Sequence, residues 1–348
     1  MMTAGLALSL PRKVALFLIQ VLIQILWVVD KVTGLDFKYI LKGLVRAILF
    51  SISLSFFAFL IYSYSTGYLH KIAVTVLIPE SVPSKISNQV IPKYPKLTGL
   101  DSTPKITAKS ALAMERNRGT VLYEKNSDEE LPPASTVKLM TALVASDLYD
   151  MDEVISVPEI CIQVEGTKAW LPAGTEFKVE DLIYAMLIGS VGDAACTLSH
   201  SKVSEDEFVN FMNGKATGIG LNSTLFSNPI GLDNVNGGHH STSSDLYELA
   251  VYAVSSPEIQ DAVSRNNFTL SSIDGNYKAY LYNTNKFIWE VPNTVGIKTG
   301  TTEGAGEVLI YEYKTDLKDI FIVVMGSRDR FGDTMRILNW VGKNYSWD

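Results

Sequence analysis

The chain has 348 residues, 47% apolar and 19% charged, enough for one large domain with appendages. Its net charge of −7 is unevenly placed: residues 1–71 carry a balance of +5 and the rest a balance of −12. So acidic a main body lacks the basic footprint that nucleic-acid phosphates require, which excludes that class of partner. Two cysteines, Cys161 and Cys196, are too few for a disulfide framework and read as small buried thiols.

The chain opens with two uncharged apolar stretches. Residues 14–29, between Arg12-Lys13 and Asp30-Lys31, are marginal for crossing a bilayer. Residues 47–69, opening after Arg46, are long enough to cross a hydrocarbon core of ~30 Å. Lys31, Lys38, Lys42 and Arg46 precede this stronger span and assign that side to the cytoplasm, with the chain beyond it on the outer face. The first stretch either spans as well or lies along the inner surface, so residues 1–71 predict an N-terminal membrane anchor region of one or two spans in contact with the lipid bilayer. Residues 72–104 hold Pro79, Pro83, Pro92, Pro95 and Pro104 in polar sequence, the composition of an extended extracytoplasmic tether. Residues 105–348 form the main domain.

Within that domain, residues 105–114 and 120–123 predict two strands joined by a turn at Asn117-Arg118-Gly119. A helix follows from Ser135 to Asp147, then short strand-like runs at 155–157 and 161–164. Residues 179–188 predict a helix, and Gly189-Ser190-Val191-Gly192 breaks it from further helical runs at 194–201 and 205–215. Residues 226–242 are loop. Helices at 244–254 and 257–264 precede strands at 295–302, 307–313 and 320–325, and residues 331–345 close the chain as a helix. Paired strands at both ends of a helical middle predict an α+β domain, with one antiparallel sheet closed by both termini.

Three stretches carry chemistry. In PPASTVKLMTALVA, residues 132–145, two prolines lead into a breaker-free run in which Ser135 and Lys138 share one helical face. A lysine held close to a serine, desolvated and without a carboxylate partner, can accept the hydroxyl proton and make the serine a nucleophile. An N-cap serine followed by a solvated lysine fits the same four residues. The break at Ser190 can turn its hydroxyl sideways into a cleft. In VGIKTGTT, residues 295–302, a strand carries Lys298 and two hydroxyls, and Gly300 permits close approach of a ligand to the backbone.

Ser135-x-x-Lys138, Ser190 after 55 positions and Lys298-Thr299-Gly300 after 108 more form the ordered signature of penicillin-binding proteins and serine β-lactamases. With EDLIYAMLIGSVGDAA, FSNPIGL, His239-x-Ser241-Thr242 and NTNK at 283–286, residues 105–340 resemble the low-molecular-weight D-alanyl-D-alanine carboxypeptidases. The resemblance implies a transpeptidase-like fold, a five-stranded antiparallel sheet flanked by helices and a helical subdomain, with the site between. It implies an acyl-enzyme on Ser135, Lys138 as proton acceptor and Ser190 as relay or holder of Lys138. It further implies substrate binding by Lys298, Thr299 and Thr301, and an oxyanion hole from the backbone N–H groups of Ser135 and Thr301. The implied partners are peptidoglycan stem peptides ending in D-Ala–D-Ala, with β-lactam antibiotics as covalent inhibitors. No cofactor or metal is implied.

One position departs from the pattern: Gly192 stands where the family has asparagine, removing an amide that touches the lysine and the substrate. A serine β-lactamase of the same fold, or a catalytically impaired peptidoglycan-binding scaffold, is the corresponding alternative. A Ser-His-Asp hydrolase fits less well, because no Gly-x-Ser-x-Gly elbow surrounds Ser135 and His239 reads as a structural hydrogen-bonder.

Overall fold

Residues 308–311 and 320–325 are unbroken apolar runs, the pattern of strands covered on both faces. The computed structural model describes residues 94–99, 101–233 and 238–347. Strands β2 (Ser110–Glu115) and β3 (Thr120–Lys125) form the N-terminal hairpin, and β8 (Thr294–Thr302), β9 (Gly306–Lys314) and β10 (Asp319–Ser327) come from the end of the chain. All neighbours are antiparallel in the order β3-β2-β10-β9-β8, so β2 and β10 join the two ends and β8 is an edge. This is the α+β architecture the sequence predicts.

Alternate residues of one strand serve two cores. Phe321, Val323 and Met325 of β10 face the helical side with Val308 and Ile310. Ile320, Ile322 and Val324 face the other way with Leu309 and Tyr311, against Ile337 and Val341 of the last helix, α8 (Arg330–Asn344). The helical subdomain contains α1 (Lys138–Leu148), α2 (Val179–Ile188), α3 (Gly192–His200), α4 (Glu205–Gly218), α5 (Ser243–Ala253) and α6 (Pro257–Ser264); the short antiparallel pair β4 (Val154–Ser156) and β5 (Glu176–Lys178) lies between α1 and α2 in the chain, and a single turn, α7 (Phe287–Glu290), precedes β8. In α1 every residue from Lys138 to Ala145 is buried, so this helix is the subdomain's axis.

Several boundaries differ from the sequence reading. The first sheet strand starts at Ser110, because the N–H groups of Thr107 and Ala108 donate to the buried carboxylate of Asp333 instead of to a neighbouring strand. Residues 161–164 are not a strand: a 3-10 turn spans Glu159–Gln163. The sequence reading also omits a hairpin, β6 (Asn267–Ser271) with β7 (Lys278–Tyr282), whose polar outer face hides the alternation. A short strand β1 (Lys96–Leu97), inside the stretch read as tether, pairs with β11 (Tyr345–Ser346).

The cysteines correct the expectation of free thiols. Cys161 and Cys196 form a disulfide, with Cα atoms 5.5 Å apart, tying the 3-10 turn to α3. A separation of 35 residues gave no local signal of this pairing. The two apolar stretches and most of the tether lie outside the described residues. Among the described residues, no helix is long and apolar enough to cross a membrane.

The disulfide gives a direct expectation. Denatured, unreduced protein should take up no iodoacetamide, and reduced protein should take up two equivalents by intact mass. Alkylation without reduction would disprove the pairing.

Candidate active site

Pro133 brings the chain into a 3-10 turn, Ala134–Val137, which passes directly into α1 at Lys138. This geometry removes the simple capping explanation: Ser135 lies inside the turn and caps nothing, and Lys138 is only 1% exposed. Lys138 Nζ lies 2.9 Å from Ser135 Oγ and donates to the main-chain oxygen of Ile230 at 2.5 Å. It makes no ion pair with a carboxylate among the described residues. Burial alone therefore governs its charge and lowers its pKa to about 7, from the ordinary lysine value.

The Ile230 carbonyl is aimed by a loop with its own internal scaffold. Asn228 Oδ1 accepts from the N–H groups of Ile230, Gly231 and Leu232 at 3.1, 2.7 and 3.1 Å. Thr141 Oγ1, one turn beyond Lys138 on α1, donates to the Pro229 oxygen at 2.6 Å. Gly231 has φ +89°, and a Cβ there would collide with the Ala134 carbonyl, so only glycine lets this loop rest on the turn that bears Ser135.

Ser190 sits between α2 and α3 with φ +58°. It is buried, and its hydroxyl has no hydrogen-bond partner among the described residues, Lys138 included. Gly192 opens α3, its N–H donating to the Thr167 oxygen at 2.7 Å. A Cβ on Gly192 would meet that oxygen at 3.2 Å, Ile230 Cγ2 at 3.4 Å and the Glu165 oxygen at 3.5 Å. A side chain here would thus start tight against the Thr167 oxygen and in ordinary contact with Ile230, whose carbonyl supplies Lys138 with an acceptor.

Edge strand β8 forms the opposite wall. Lys298 is 1% exposed and its Nζ donates to the Thr299 oxygen at 3.0 Å. Burial, then the charges of Lys138 and Arg330, hold its pKa well below the usual lysine range. Thr299 Oγ1 lies 2.6 Å from Thr284 Oγ1, whereas Thr301 is exposed. Gly300 passes so close that a Cβ there would stand 2.9 Å from the Ser135 nitrogen. The N-terminal 3-10 turn and β8 therefore bring Ser135 and the Lys298–Thr301 segment together.

Sequence reasoning missed Arg330. At the first position of α8, it donates through Nη1 to the Gly300 oxygen at 2.7 Å and to Thr301 Oγ1 at 2.5 Å. Its own N–H is fixed by Glu307 at 2.9 Å. No local motif marks this residue; the β9–β10 connection alone carries it back beside Thr301. Arg330 thus sets a guanidinium beside Thr301 and the Gly300 carbonyl of β8.

Strain concentrates on these elements. Ala134, with φ +50°, precedes the nucleophile; Ser190 is itself in the left-handed region; and Ile297, with φ +143°, precedes Lys298. Such conformations cost non-glycine residues of order 1–3 kcal/mol each and persist where the surroundings over-determine them.

One histidine reading changes. His239 is buried, but neither ring nitrogen has a hydrogen-bond partner among the described residues, so it is not the hydrogen-bonder expected. Burial lowers its pKa to about 4 and keeps it neutral. His200 lies beside Cys196 and Cys161 in a metal-like cluster, but the disulfide consumes both sulfurs as thiolate ligands.

Residues 98–329 match the model of the family described as D-alanyl-D-alanine carboxypeptidase. A D-alanyl-D-alanine carboxypeptidase of Bacillus subtilis is 32% identical over 68% of this chain, and the match spans 63% of that relative's own length. A D-alanyl-D-alanine endopeptidase of Pseudomonas aeruginosa is 30% identical over 77% of this chain and 86% of its own. Among solved structures, a Mycobacterium tuberculosis D-alanyl-D-alanine carboxypeptidase superposes with TM-score 0.66 at 26% identity, covering 71% of this chain and 95% of that one. The Streptomyces K15 DD-transpeptidase gives TM-score 0.65 at 26% identity over 70% and 99%.

The tight seat of Gly192 predicts that restoring the family residue harms the fold. Gly192→Asn should destabilise the protein by about 1–3 kcal/mol in denaturant unfolding, because its Cβ would stand 3.2 Å from the Thr167 oxygen, which the Gly192 N–H already holds. Unchanged or higher stability would show that the loop 165–167 yields.

Proposed function

The chain belongs to the D-alanyl-D-alanine carboxypeptidase family, and we propose that it is a serine D-alanyl-D-alanine carboxypeptidase that trims peptidoglycan stem peptides through a Ser135 acyl-enzyme. The observation that carries this reading is the contact of 2.9 Å between Ser135 Oγ and a lysine amine buried without a carboxylate.

Near neutral pH a large share of Lys138 is uncharged, so it can take the Ser135 proton as the hydroxyl attacks the D-Ala–D-Ala carbonyl. The Ser135 N–H, which lies against β8, and that of Thr301 would hold the developing oxyanion. Lys298, Arg330, Thr299 and Thr301 would receive the peptide's terminal carboxylate. Arg330 is the member best placed for it, because its guanidinium already touches exposed Thr301. Ser190 is the candidate relay that returns the proton to the departing D-alanine. Water then hydrolyses the ester. The replacement of the asparagine by Gly192 leaves nucleophile, base and anion wall intact. We further propose that residues 47–69 anchor the protein in the bacterial cell membrane with this domain on the outer face, where the wall lies.

Benzylpenicillin tests the reading, since its strained amide acylates the same nucleophile. Full-length protein should gain one penicilloyl group by intact mass, and Ser135→Ala should gain none. An adduct that vanishes while penicillin is consumed would make the protein a β-lactamase. No adduct on folded protein would make it a binding scaffold.

The lysine also sets a pH dependence. A base whose pKa has fallen to about 7 is protonated below that value and free above it. The acylation rate should therefore rise about tenfold per pH unit below 7 and level off above it. A rate that is flat between pH 5.5 and 8 would remove Lys138 as the base.

A further inference from the structure

Just beyond β7, Thr284 stands exposed between two buried asparagines, Asn283 and Asn285. An exposed threonine ordinarily turns its hydroxyl to water. Thr284 Oγ1 instead lies 2.6 Å from Oγ1 of Thr299, a residue only 4% exposed. The placement is enforced by the backbone around it. Asn283 Nδ2 donates to the Val263 and Arg265 oxygens at 3.2 and 2.9 Å, and its Oδ1 accepts from the Asn285 N–H at 2.9 Å. Asn285 Oδ1 accepts from the Phe287 N–H at 3.2 Å, at the start of α7. The Thr284 N–H donates at 3.2 Å to the oxygen of Ile188, the last residue of α2 and two positions before Ser190. Three consecutive residues are thus fastened to the end of α6, the end of α2 and α7, and the Thr284 hydroxyl is delivered to β8.

The hydroxyl it meets lies beside the nucleophile. Gly300, next to Thr299, is the residue whose added Cβ would stand 2.9 Å from the Ser135 nitrogen. β8 is an edge strand, open along one side to a ligand. Thr299 and Thr301, two positions apart in an unbroken register, share a face of that strand. Arg330 holds the Thr301 hydroxyl at 2.5 Å, so a row of polar groups runs Thr284, Thr299, Thr301, Arg330.

A threonine hydroxyl has one proton and two lone pairs. Among the described residues, Thr284 is the single hydrogen-bond partner of Thr299 Oγ1. If Thr299 donates within the pair, its proton is used and it shows an anion only lone pairs. If Thr284 donates, the Thr299 proton is free to meet a carboxylate, and the bond from Thr284 polarises it further.

We propose that Thr284 is a positioning residue for the peptide's terminal carboxylate: its hydroxyl donates to Thr299 and so turns the Thr299 proton toward that group. The assignment rests on the proposed activity, in which the substrate ends in a free carboxylate that Thr299 helps to receive. Its contribution is to recognition and is carried through Thr299.

The test isolates the carboxylate. In full-length protein carrying Ser135→Ala, calorimetry compares an N-acylated D-Ala–D-Ala peptide with its C-terminal amide. The parent should bind the acid more tightly. Thr284→Val keeps the shape and removes the hydroxyl; it should shrink that preference roughly three- to tenfold, the worth of one hydrogen bond, and leave affinity for the amide within twofold. Thr284→Ser should keep the preference. In a Thr299→Val background, Thr284→Val should change the preference no further, as two residues acting through one bond require. No binding or no preference in the parent, or a preference unchanged by Thr284→Val, would overturn the assignment. An equal fall for acid and amide would also overturn it, by making Thr284 structural. Acylation by benzylpenicillin is read separately, with Ser135 intact. Its absence from wild type would overturn the proposed activity, and the calorimetry would still decide the role of Thr284.

Discussion

The site depends on keeping one ammonium group out of water without giving it a counter-ion. Lys138 enters the protein interior on the first turn of α1 and meets a serine oxygen and a peptide carbonyl. A carboxylate in either place would stabilise the charged form and cancel the base. Two neutral acceptors satisfy the nitrogen's hydrogen bonds and leave desolvation to act on its charge. Its charge in turn helps burial to lower the pKa of Lys298. The rest of the site follows from this need: a fully buried α1, a loop pressed against its first turn and bare glycines wherever backbones meet.

The Asn228 loop shows how a main-chain group can do the work of a side chain. Three N–H groups converge on one amide oxygen, which fixes the peptide plane of Ile230 and so the direction of its carbonyl. A carbonyl held this way needs no rotamer to be frozen. It also explains why a glycine at 192 is compatible with a seated lysine.

Elements whose logic is local were legible in the sequence. The serine–lysine spacing, the break at Ser190 and the lysine strand before Gly300 all follow from periodicity and from residue types that fix backbone shape, and the sheet follows from apolar runs at both ends. What escaped is non-local or belongs to the backbone. Arg330 reaches Thr301 only because two antiparallel strands return it there. The Ile230 carbonyl carries no residue signature, since every residue has one. The cysteine pair needed the fold to bring its halves together, and no composition rule separates it from two buried thiols.

The small ladder between β1 and β11 matters mechanically. Thr98 and Gly99 both donate to the Asn344 oxygen beside that ladder, so the chain enters and leaves the sheet domain at one shared point. A pull on the leading segment is met first by a clasp between the two ends, with α8 behind it, before any strand that shapes the cleft bears load. A cargo fused to the trailing end would ride beside that leader.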